Sequence, residues 1–114
     1  MRERLPDCRD CETTNLQWKS VKLIVSYGFD EDGSIREVFI NAAKTGEDIE
    51  VMMNDAATAF SIALQSGRTP AELYKSMRRD KRSHPASILG FVLRDMAKRA
   101  GQLVEDPEMV AANG

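Results

Sequence analysis

Apolar and polar residues alternate with a period of two through three stretches of the first half of the chain, then switch to helical spacing. In the first stretch, residues 13 to 19, Thr14, Leu16 and Trp18 fall on one face. In the second, residues 22 to 29, Leu23, Val25 and Tyr27 share a face. Ile24 lies opposite them, which predicts a strand buried on both sides at its centre. In the third, residues 35 to 42, Val38 and Ile40 share one face, and Glu37, Phe39 and Asn41 the other. Asp30-Glu31-Asp32-Gly33 has the chemistry of a hairpin loop, because Gly33 can take positive φ without a Cβ clash.

Helical spacing begins after Lys44-Thr45-Gly46. Glu47 and Asp48 suit a helix N-terminus and its dipole, and are read as capping it themselves. Ile49, Met52, Met53, Ala56, Ala59, Phe60, Ala63 and Leu64 form a wide apolar stripe that predicts a face packed on the sheet. Gly67 stops this helix. Thr69-Pro70-Ala71-Glu72 starts a second, short helix carrying Leu73 and Met77. A third helix is expected over residues 85 to 100, with Ile88, Leu89, Val92, Leu93 and Met96 inward and Gly101 ending it. The expected fold class is α+β: a three-stranded antiparallel meander packed by three helices. Residues 1 to 12 read as an extended polar arm, 13 to 101 as a single domain, and 102 to 114 as a flexible tail.

Bulk composition narrows the function classes. A chain of 114 residues holds one modest core. Hydrophobic content of 42% and charged content of 30% are those of an ordinary soluble protein, and a net charge of -2 gives no general attraction to nucleic acid. No apolar run approaches the ~20 residues that cross a bilayer, so no membrane partner is expected. Met1-Arg2-Glu3-Arg4-Leu5-Pro6-Asp7 lacks the apolar core of a signal peptide, and a cytoplasmic location follows as the expectation. Cysteines there are expected to be reduced unless they are catalytic or redox-active.

Four places carry candidate chemistry. Cys8 and Cys11, in Cys8-Arg9-Asp10-Cys11, have the spacing to close a small disulfide, exchange electrons or hold half a zinc site, or they are inert thiols. A full zinc site needs about four ligands, and His84, the only histidine, is far away in sequence. That histidine reads as a surface residue at a helix start. Arg78, Arg79, Lys81 and Arg82 form a basic loop able to attract an anion or nucleotide. It has no interleaved aromatic residue to stack bases and no Gly-rich phosphate cradle, so the plainer reading is a solvated loop. Asp30, Glu31 and Asp32 are too closely spaced for a calcium loop and read as a solvated tip. Lys44-Thr45-Gly46 precedes a helix, but Glu47, Asp48 and Glu50 oppose an anion there.

An ordered series of segments resembles a known family. The segments are Arg4-Leu5-Pro6-Asp7, Asp32-Gly33 with Glu37-Val38-Phe39-Ile40, Lys44-Thr45-Gly46, and Ser61-Ile62-Ala63-Leu64-Gln65-Ser66-Gly67 followed by Pro70-Ala71-Glu72-Leu73. Pro85-Ala86-Ser87-Ile88-Leu89-Gly90-Phe91-Val92-Leu93-Arg94 closes the series. Together they are similar to the TSCPD-type domain, the C-terminal accessory region of adenosylcobalamin-dependent ribonucleotide reductases, and to small free-standing proteins that carry this domain alone. The resemblance covers about residues 4 to 100. It implies a connection to deoxynucleotide synthesis. In the full reductases the radical-forming barrel, substrate cysteines and cofactor site lie in other domains, so it implies neither independent catalysis nor a cofactor of this chain's own. The name-giving Thr-Ser-Cys-Pro-Asp motif is absent, and Cys8 and Cys11 do not occupy its place.

Chemistry agrees with that reading. Ribonucleotide reduction needs a buried thiyl radical, a dithiol pair and a radical generator around one substrate. Two cysteines in a polar arm do not supply them. The leading expectation is therefore a non-catalytic accessory or regulatory module that binds a protein or nucleotide. Its expected partners are a ribonucleotide reductase large subunit and, through a sheet edge, a second copy of itself. The alternative is a small dithiol redox protein in which Cys8 and Cys11 pass electrons to a reductase partner.

Overall fold

The computed structural model describes residues 11–42 and 46–101. Three strands come first: β1 (Cys11–Trp18), β2 (Val21–Phe29) and β3 (Ile35–Ala42). Three helices follow: α1 (Glu47–Gln65), α2 (Pro70–Lys75) and α3 (Ile88–Arg99). The strands form an antiparallel meander in the order β1-β2-β3, which gives the expected α+β fold. The chain falls into two compact units whose boundary lies between Thr69 and Pro70.

The sheet and α1 belong to the first unit. Leu23, Val25 and Tyr27 of β2 stand opposite Ala42, Ile40 and Val38 of β3, and all six are buried. Thr14, Leu16 and Trp18 of β1 continue this inner face and are half-buried. The outer face differs from expectation. Ile24 is 45% exposed, so β2 is buried on one side only. The alternation holds strictly, and it turns Ile24 to the more open side of the strand.

Helix α1 packs on the sheet as expected, through β3, but buries a different set of positions from the predicted stripe. Met53, Ala57, Ser61 and Leu64 are the buried positions, while Ile49 and Met52 face solvent. The helix packs against β3, and its polar groups bond the outward backbone of that strand. The Ser61 hydroxyl accepts from the Val38 N–H at 3.0 Å and donates to the Val38 carbonyl at 3.3 Å. The Gln65 side-chain amide donates to the Arg36 carbonyl at 3.1 Å. A strand edge carries unpaired donors and acceptors that attract other strands, and these side chains satisfy them. The helix begins after Gly46 with no side-chain cap, so Glu47, Asp48 and Glu50 complement the dipole without capping. It ends in a Schellman arrangement, with the Gly67 N–H on the Leu64 carbonyl at 3.2 Å and the Arg68 N–H on Ala63 at 3.0 Å.

The second unit holds α2 and α3, which pack on each other. Pro70 opens α2 as the sequence predicts, and Tyr74 is its buried aromatic residue, with Leu73 and Met77 half-buried. α3 starts three residues later than expected. Pro85 pairs with Arg79 in an antiparallel bridge, which holds the chain extended until Ser87. Ser87, at φ -139°, then caps the helix by accepting from the Gly90 N–H at 3.1 Å. Val92, Leu93, Met96 and Ala97 are fully buried, whereas Ile88 and Leu89 are half-buried.

Candidate functional site

The outer face of the sheet and the side of α1 that rises beside it enclose an open groove of about 720 Å³. Period-two alternation places Ile24, Ser26, Phe39 and Asn41 on its floor, and helical spacing places Glu50, Asn54 and Thr58 on its wall. Phe39 is 58% exposed, an uncommon position for a phenylalanine ring with an apolar neighbour such as Ile24. Ser26 hydrogen-bonds the Thr13 hydroxyl at 2.9 Å, and the Thr58 hydroxyl donates to the Asn54 carbonyl at 3.0 Å. Glu37 and Glu50 give the lining a negative sign. A groove of this kind offers an apolar ring, amides and carboxylates. It suits a neutral or cationic group and repels phosphate. The sequence reading placed Phe39 on the outer face but did not find the groove. The signal was present in Ser61, a hydroxyl on a buried helical stripe that needed a nearby backbone partner.

The basic segment is a built turn. The Asp80 N–H donates to the His84 carbonyl at 2.8 Å, and the Ser83 N–H donates to the Asp80 carbonyl at 3.0 Å. Asp80 Oδ1 accepts from the Arg82 and His84 N–H groups at 2.8 and 3.0 Å. These bonds, the His84 N–H above all, hold the Asp80 carboxyl below its ordinary range. Arg78, Lys81 and Arg82 are exposed. Arg79 lies over the Tyr74 ring, its guanidinium 4.5 Å from the centroid, so that cation is committed to packing as well as charge. His84 belongs to this turn and not to a helix start. Its Nδ1 stands 3.8 Å from Asp80 Oδ2.

Cys11 is exposed at the first position of β1, opposite Gly28. Cys8, Lys44 and Thr45 lie outside the described residues. A strand start offers no helix dipole to stabilise a thiolate, and the structure lends the redox alternative no support. Among the described residues no group of three or more His, Cys, Asp or Glu side chains is placed to hold a metal. No described helix is long and apolar enough to cross a membrane.

The fold and these surfaces define a class: a small α+β domain that presents an open groove and a basic turn. Within that class, the chain belongs to the TSCPD domain family, which it matches over residues 3–101. It is similar to the vitamin B12-dependent ribonucleotide reductase of Agrobacterium fabrum (strain C58), 33% identical over 109 residues that cover 84% of this chain and 8% of that protein. The protein of the same name from Bradyrhizobium diazoefficiens is 30% identical over 109 residues, covering 84% of this chain and 9% of that protein. That from Rhodopirellula baltica is 39% identical over 66 residues, covering 58% of this chain and 6% of that protein. The chain thus spans less than a tenth of the length of these relatives. No solved structure matches it.

Proposed function

We propose that this domain is a non-catalytic accessory or regulatory module of ribonucleotide reduction, acting in the cytoplasm by binding the large subunit of a reductase. The observation that carries the reading is the family membership over residues 3–101, together with relatives in which the matching segment is a small part of a reductase. The contact surfaces would be the groove around Phe39 and the cations Arg78, Lys81 and Arg82. The first offers an aromatic anchor that binding would desolvate, and the second electrostatic steering. The groove's negative sign favours a protein segment there, and a nucleotide phosphate, if one binds, would sit at the basic turn.

Mixing the purified chain with a vitamin B12-dependent ribonucleotide reductase from the same cells tests the reading by calorimetry and gel filtration. A complex is expected, weakened at least tenfold by Phe39→Ala or by Lys81→Ala with Arg82→Ala. Absence of a complex at tens of micromolar would refute the proposal.

A further inference from the structure

The two edges of the sheet are treated differently. The outward backbone of β3 is satisfied by Ser61 and Gln65 of α1. Among the described residues, no side chain hydrogen-bonds the backbone of Thr13, Asn15 or Gln17 in β1 as Ser61 and Gln65 do in β3. The ladder fixes which groups that edge shows. Val38 directs its N–H and carbonyl away from β2, so Tyr27 and Val38 are a non-hydrogen-bonded pair. Alternation then turns the backbone of Ser26 toward β3 and that of Val25 toward β1. Val25 is opposite Thr14. The N–H and carbonyl groups of Thr13, Asn15 and Gln17 therefore point outward, and all three residues are exposed.

We infer that this edge pairs with β1 of a second copy, antiparallel, to join two three-stranded sheets into one of six strands. The run Thr13-Thr14-Asn15-Leu16-Gln17-Trp18 contains no charge, no proline and no glycine, so it lacks the devices that keep natural edges apart. A two-fold axis at Asn15 lays this uncharged run on itself, Thr13 opposite Gln17 and Thr14 opposite Leu16. The same axis keeps the two Glu12 carboxylates about six residues, roughly 20 Å, apart. Self-pairing in this register sets no like charges opposite one another. The inference does not depend on the reductase reading above.

Analytical ultracentrifugation of the full chain over a concentration series tests it. The wild type is expected to dimerise, and Asn15→Pro to raise the dimer dissociation constant at least tenfold. Asn15 directs its N–H outward, so proline there removes an edge donor and leaves the β1–β2 ladder intact. Unchanged far-ultraviolet circular dichroism would establish that the variant folds. Amide exchange gives a second readout that needs no variant. The N–H groups of Thr13, Asn15 and Gln17 should become protected as concentration rises, while those of Thr14 and Leu16 stay protected throughout. A wild type that remains monomeric at hundreds of micromolar, a dimer unmoved by Asn15→Pro, or protection independent of concentration would each overturn the inference.

Discussion

Two turns of this molecule have the same backbone wiring and opposite charge. In residues 30–34 the Asp30 N–H meets the Ser34 carbonyl at 2.9 Å, and the Gly33 N–H meets the Asp30 carbonyl at 3.0 Å. Asp30 Oδ1 accepts from the Asp32 and Ser34 N–H groups at 2.9 and 3.0 Å. Residues 80–84 repeat every one of these bonds, with Asp80, Arg82, Ser83 and His84 in the corresponding places. The fourth residue has positive φ in both, +80° at Gly33 and +65° at Ser83. The differences lie outside the wiring. Glu31 and Asp32 occupy the tip of one turn, Lys81 and Arg82 that of the other. Asp30 Oδ2 is gripped by Arg36 Nε at 2.8 Å, while Asp80 is half-exposed and its Oδ2 stands 3.8 Å from His84 Nδ1. An aspartate and a left-handed position suffice to build this turn. The tip residues are then available to carry either sign of charge.

The comparison can be broken most severely at its first position. Asp30→Ala removes three accepted hydrogen bonds, one from a guanidinium, and should cost about 2–3 kcal/mol in denaturant unfolding. Asp80→Ala should cost less, because no cation grips its outer oxygen. Next comes the left-handed residue. Gly33→Ala meets no atom within 4 Å, so its cost is backbone strain alone, roughly 1 kcal/mol. Ser83→Gly reverses that sign and should stabilise by about 0.5 kcal/mol, since the strain relieved exceeds the added unfolded-state entropy. Equal responses at the two sites would show that the turns are not energetically alike.

The smallest effect is in pH dependence. The Arg36 hydrogen bond, followed by the Ser34 N–H, holds the Asp30 carboxyl below its ordinary range, and the His84 and Arg82 N–H groups do the same for Asp80. A carboxyl lowered in the folded state stabilises it above the ordinary carboxylate range, and that contribution is lost as pH falls through the lowered value. Acid titration of stability should flatten below about pH 4 in Asp30→Asn, and less in Asp80→Asn. An unaltered profile in both variants would remove the electrostatic half of the comparison.

The sequence revealed these two turns unequally. Gly33 marked the first, because glycine at positive φ is the plainest turn signal. Ser83 hid the second, and four cations in the segment drew attention to charge instead of backbone. Asp80 four residues before a histidine that precedes Pro85 was the readable clue. The strands, their faces and the ends of α1 were legible because alternation and Gly67 act locally. The relation between α1 and β3 was not. It depends on Ser61 and Gln65 meeting backbone groups 23 and 29 residues away. Periodicity gives a buried stripe but not the partner on which it lies. The late start of α3 was missed for a similar reason, since Pro85 was read as a first helical residue and is instead the partner of Arg79.

Arg36 joins more than a hairpin tip. Its Nη1 also donates to the Leu64 carbonyl at 2.8 Å, so one guanidinium spans the turn at Asp30 and the last turn of α1. Tension applied to the chain at Arg68 would load this guanidinium before it could unwind α1, and would pass from there into the hairpin. The first unit should resist pulling from that side as a clasp that opens all at once, with a single rupture event that Arg36→Ala would split into two weaker ones.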